Sequence, residues 1–98
     1  MSRFPGGVRD VALVLPRDVA YSIVEDIVNT VARDATLPLV SVSLVEIYEG
    51  REIPTDSRGM TLRFQFRAAD RTLTAEEIDS GQETLIGALC SSCGASRR

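Results

Sequence analysis

The chain has no histidine and no lysine, only two cysteines, and no apolar run approaching the ~20 residues of a membrane span. Without histidine, the commonest general base and metal ligand is missing. The cysteines form a single C-x-x-C, Cys90-Ser91-Ser92-Cys93, whereas a structural zinc site needs about four ligands. No second pair completes one, so no metal site is expected. The pair also follows the last apolar positions of a helical pattern, at the end where the helix dipole opposes thiolate formation. The two cysteines therefore read as incidental or structural. There is no nucleophile elbow and no P-loop. Catalysis would fall to carboxylates on polar helix faces and in loops, where solvated charge is the plainer account. No catalytic residue is expected, and the domain by itself reads as no enzyme. The N-terminus shows no charged-then-apolar leader, so the expected location is cytoplasmic.

What is present is enough for one small core. At 98 residues and 44% hydrophobic, residues 1–98 read as a single domain, able to bury roughly two-thirds of its unfolded surface. Fourteen acidic against eleven basic residues give a net charge of −3, which argues against an autonomous nucleic-acid binder. Every basic residue is arginine. Either a coding bias or the value of a planar fork for phosphate and base edges accounts for that.

Periodicity supplies the elements. Val8 to Leu15 alternates as strand one, with Val11, Leu13 and Leu15 on one face and Ala12 and Val14 on the other, and Pro16 ends it. From about Ala20 to Arg33, Ile23, Val24, Ile27, Val28 and Val31 form a helical stripe. Its β-branched residues need packing against a sheet to hold the helix. Leu39 to Glu49 reads as strand two with a broken phase: Val42 and Leu44 share one face, Val45 and Ile47 the other. A bulge, or burial on both sides, would explain the break. A polar loop, 50–59, precedes strand three, Met60 to Ala68. Thr74 then stands as an N-cap with Glu77 three residues on, a capping box opening a helix to about Cys90. Gly81 and Gly87 inside that helix each cost about 1 kcal/mol relative to alanine. Residues 94–98 leave room for a short last strand.

Three stretches in register resemble one family: Phe4-Pro5 with Arg9 to Val14, Val42 to Gly50 with Ile53-Pro54, and Arg71-Thr72-Leu73-Thr74 followed by Glu76-Glu77, after a strand ending Phe66-Arg67. The chain is similar throughout to the C-terminal ferredoxin-fold anticodon-binding domain of the bacterial phenylalanyl-tRNA synthetase beta subunit. The implied fold is α+β, a ferredoxin-like β-α-β-β-α-β sandwich with a four-stranded antiparallel sheet and two helices on one face. The periodicity argues for the first five elements; the last strand rests on the resemblance. Val11, Leu13, Leu15, Leu62, Phe64 and Phe66 are expected to face the helices, packed under Ile23, Ile27, Ile78, Leu85 and Leu89. Ala12, Thr61, Arg63, Gln65 and Arg67 are expected on the open face.

The resemblance also implies a role. The open face would dock the anticodon region of tRNA-Phe, with Tyr48 stacking on an anticodon base and Ala12 small enough to let it approach. Arg58-Gly59 stands where the family usually has Lys-Ser: arginine keeps a phosphate-binding charge, and glycine loses a hydroxyl able to reach the nucleotide. Arg63 and Arg67 would contact the RNA backbone. The implied tRNA-binding set is therefore Ala12, Tyr48, Arg58, Gly59 and Arg63. The partners are tRNA-Phe, the rest of the beta subunit and the alpha subunit, with no membrane. No cofactor is expected in this domain; ATP and magnesium belong to the full synthetase. Two other classes share the element order or the acidic charge. One is an ACT-like small-molecule regulatory domain, which usually has glycine after strand one where this chain has Pro16-Arg17-Asp18. The other is a protein-interaction module.

Overall fold

The computed structural model describes residues 6–50 and 53–97; the expected opening Phe4-Pro5 lies outside them. In chain order the elements are β1 (Gly7–Pro16), α1 (Tyr21–Asp34), β2 (Leu39–Tyr48), β3 (Ser57–Phe66), α2 (Ala75–Cys93) and β4 (Ser96–Arg97). The strands form one antiparallel sheet in the order β2-β3-β1-β4. β1 and β2 both run antiparallel to β3, which lies between them, and α1 is their crossover. This is the split βαβ, ferredoxin-like arrangement.

Strand alternation divides the sheet into two unlike faces. Leu13, Leu15, Met60, Leu62, Phe64 and Phe66 are essentially inaccessible to solvent and meet Val24, Val28, Leu85 and Leu89 from the helices. Ile27 is half-buried against this core, and Ile78 is buried in it. Ile23 departs from the expectation: it is 48% exposed. The inward stripe of α1 runs through Val24, Val28 and Ala32, which turns Ile23 toward the helix's outer side.

The broken phase of β2 resolves as a bulge. Its register against β3 shifts between Leu44 and Glu46, so Val45 is the extra residue, and a second shift falls between Leu39 and Ser41. Before the bulge, Val42 and Leu44 lie opposite the inward-facing Phe64 and Leu62. After it, Glu46 and Tyr48 alternate with Ile47, so that Tyr48 lies opposite Gly59. The extra residue thus puts Tyr48 and its neighbour Glu46 where they are.

The helix ends show how local chemistry sets the boundaries. The capping box forms: the Glu77 amide donates to Thr74 Oγ1 and the Thr74 amide donates to Glu77 Oε1, both at 3.1 Å. Those bonds, with the Arg71 guanidinium, hold the Glu77 carboxyl below its ordinary value. At the other end α2 runs on to Cys93, three residues beyond the expected limit, until Gly94 adopts the left-handed conformation with φ of 73°. The Cys93 thiol donates to the Leu89 carbonyl, and burial raises its pKa. β4 is two residues long and pairs Arg97 with Leu13 and Ser96 with Val14. Among the described residues, no helix is long and apolar enough to cross a membrane, and no group of three His, Cys, Asp or Glu side chains could hold a metal ion.

Candidate nucleic-acid interface

The face of the sheet away from the helices is laid out in rows by the register. Tyr48, Gly59, Val14 and Ser96 form one row. Glu46, Thr61 and Ala12 form the next, then Ser43, Arg63 and Asp10, then Ser41, Gln65 and Val8. The surface is mostly small or polar side chains, with one large aromatic ring at its β2 margin.

The ring lies down on the sheet. A Cβ built on Gly59 would stand 2.2 Å from Tyr48 Cε2, 2.3 Å from Cζ and 2.7 Å from Cδ2. Such close and nearly equal distances to three consecutive ring atoms place that point beneath the ring's face rather than beyond its edge. Tyr48 therefore covers the β3 backbone at Gly59. The residue is half-buried, with its hydroxyl oxygen shielded from solvent.

Two rows away, Arg63 and Asp10 are directly opposed on β3 and β1. Arg63 Nε and Nη2 donate to the two carboxylate oxygens of Asp10 at 2.9 and 3.0 Å. This bidentate pair holds the Asp10 carboxyl below its ordinary value and raises the Arg63 guanidinium. The charge of Arg63 is thereby matched within the face. Glu46, exposed one row nearer the ring, has no ion-pair partner among the described residues. The face has no excess of positive charge to draw in phosphate.

Of the expected binding residues, the sheet brings Ala12, Tyr48, Gly59 and Arg63 together on one surface and sends Arg58 elsewhere. Arg58 shares the inward phase of Met60 and Leu62. Its Nη2 donates to the Val19 carbonyl at 2.8 Å and its Nε is shielded from solvent. It ties β3 to the β1–α1 loop on the helix side of the sheet. Arg67 falls just past the end of β3, where its amide donates to the Pro38 carbonyl. Near the ring end, Arg17 joins the two adjacent loops: its amide donates to Asp56 O, its Nε to Thr55 O, and its Nη1 to Glu49 Oε1 at 2.7 Å. Asp10 and Glu46 were not among the expected site residues. The alternation of strand one already put Asp10 beside Ala12 and Val14; what it lacked was the pairing register that sets Asp10 against Arg63. Glu46 needed the bulge.

Comparison with known proteins places the chain in a family. Residues 2–98 match the family model of the ferredoxin-fold anticodon binding domain, and the chain belongs to that family. It is similar to the phenylalanine–tRNA ligase beta subunits of Syntrophotalea carbinolica, 31% identical over 98 residues, and of Streptomyces avermitilis and Cutibacterium acnes, each 32% identical over 98 residues. All of this chain aligns in each case, but it spans only 11–12% of the length of those relatives.

Proposed function

We propose that this chain is the anticodon-docking module of a phenylalanine–tRNA ligase beta subunit, and that its open sheet face receives the anticodon region of tRNA-Phe. The observation that carries the reading is the Tyr48 ring laid face-on over Gly59 at the β2 margin of a helix-free sheet surface. A ring held this way offers a π-face to one unstacked base, the mode by which proteins commonly take hold of single-stranded RNA. Ala12, in the adjacent row, leaves the space above the sheet clear. Glu46 supplies an acceptor beside the ring for a donor-bearing base edge.

Energetics assign the module a checking role rather than a gripping one. One stacked base contributes about 1–3 kcal/mol, while a millimolar complex already requires about −4 kcal/mol. The Asp10–Arg63 pair cancels its own charge, and the net charge of −3 gives no general attraction. Tight binding then comes from the rest of the synthetase, with its alpha subunit, in the cytoplasm. The ATP- and magnesium-dependent chemistry belongs to the aminoacylation centre, and no step of it runs through these residues.

The test is Tyr48→Ala in the assembled synthetase. The expected result is a loss of about 1–3 kcal/mol in transfer efficiency to tRNA with phenylalanine activation unchanged. Equal aminoacylation by the variant and its parent removes Tyr48 from the site.

A further inference from the structure

Gly59 is a strand-interior glycine whose backbone does not require a glycine: the left-handed conformation among the glycines belongs to Gly94. Glycine weakens a strand, and one in a strand interior often marks a close approach by another group. Here that group is an aromatic ring from the neighbouring strand. Gly7, the other glycine within a strand, faces the helix side instead, where a Cβ would meet the aliphatic Ile78 side chain, with Cδ1 at 2.3 Å and Cγ1 at 3.3 Å.

We propose that Gly59 is the positioning residue of the Tyr48 platform: the absence of a Cβ lets the ring rest on the β3 backbone with one face down and the other toward the ligand. This rests on the proposed docking function and adds to it a residue that acts only through the ring. Any Cβ at position 59 enters the space occupied by the ring face, and the β3 backbone beneath it cannot yield without breaking its pairing with β1 and β2. The ring has to lift or swing aside. A serine there would return a hydroxyl to the face and seat the ring higher above the sheet. Gly59 is thus an exchange of one kind of contact for another, rather than a simple loss.

The 98-residue chain itself supplies the first readout. A proton directly beneath an aromatic face resonates upfield, so a Gly59 Hα is expected well upfield of the usual strand range in the proton NMR spectrum and should return to that range in Tyr48→Ala. A Gly59 Hα at ordinary shift in the folded parent overturns the inference without any substitution at 59. The second readout is a double-mutant cycle using an RNA hairpin that carries the phenylalanine anticodon. Tyr48→Ala is expected to weaken hairpin binding about 5- to 150-fold. Gly59→Ala should weaken binding in the parent by less than Tyr48→Ala does, and not at all in the Tyr48→Ala background, because Gly59 has no contact of its own to lose. Loss from Gly59→Ala in both backgrounds overturns the positioning role. So does parent-like binding by Gly59→Ala when Tyr48→Ala binds weakly, and the docking function survives that result. If Tyr48→Ala binds like the parent, the docking function fails instead, and the Hα shift alone decides whether Gly59 seats the ring.

Discussion

Asp10 and Arg63 face each other across the β1–β3 ladder and are joined by two hydrogen bonds, at 2.9 and 3.0 Å, on the same surface as Tyr48. An arginine on an RNA-facing sheet would ordinarily be assigned to phosphate. Here a carboxylate already occupies its fork. The pair is half-exposed and contributes little to stability; in the proposed docking its larger effect is to keep a cation from the ligand.

Removing the carboxylate should therefore strengthen RNA binding. Asp10→Asn is expected to tighten binding of the anticodon hairpin and to steepen the slope of log affinity against log salt by about 0.7, the value of one phosphate contact on a single strand. Arg63→Ala in the parent should leave the slope nearly unchanged. Fluorescence anisotropy over a salt series measures both. An unchanged slope for Asp10→Asn would place Arg63 out of reach of phosphate. Acid should act in the same direction. The Asp10 pKa is lowered in the folded protein, so the pair is complete above the ordinary carboxylate range and is lost as pH falls through the lowered value.

The α2 capping box predicts a separate stability effect. Thr74→Ala should cost about 1 kcal/mol, seen as a fall in Tm of about 4–8 °C for a domain of this size. Glu77→Ala should also lower Tm at neutral pH. Because the Glu77 pKa is depressed in the folded state, its contribution is present above the ordinary carboxylate range and disappears as pH drops through the folded value, so the variant and parent should converge in acid. A Tm difference independent of pH would show that the Glu77 carboxylate adds nothing to the cap.

Two glycines of α2 should behave differently. A Cβ on Gly87 would meet nothing within 4 Å, whereas one on Gly81 would sit 3.2 Å from Phe66 Cε1. Gly87→Ala is expected to stabilise by about 1 kcal/mol, the full helix-propensity gain. Gly81→Ala should rank below it, because Phe66 is fully packed and must give way. Denaturant unfolding measures both, and equal gains would contradict the packing account.

How much of this was legible in the sequence depends on the range of the interaction. The alternation of Val11, Leu13 and Leu15 and of Leu62, Phe64 and Phe66 assigned the inward faces correctly, since strand period is a local property. So did the Thr74–Glu77 cap. Periodicity marks the first helix but makes its apolar stripe wider than the buried one: Ile23 is apolar yet exposed, and only the angle of α1 on the sheet separates it from Val24. The orientation of Arg58 was not legible either. A basic residue before strand three looks like a phosphate contact, but its phase with Met60 turns it inward, where the Val19 carbonyl takes it up. The pairing of Asp10 with Arg63 and the seating of Tyr48 on Gly59 both depend on register between strands, which alternation within one strand cannot specify. The broken phase of strand two did point to a bulge, though not to its consequence for Tyr48.

The central claim is that the open face, with Tyr48 at its margin, is where the anticodon region docks. Backbone amide NMR of the labelled 98-residue chain, titrated with the anticodon hairpin, tests it most directly. The account predicts weak, fast-exchanging binding with shift changes concentrated at Ala12, Glu46, Tyr48, Gly59 and Thr61, and little change at Ile27, Val31 and Leu89 in the helix layer. Shift changes centred on the helices, or none at millimolar hairpin, would contradict it.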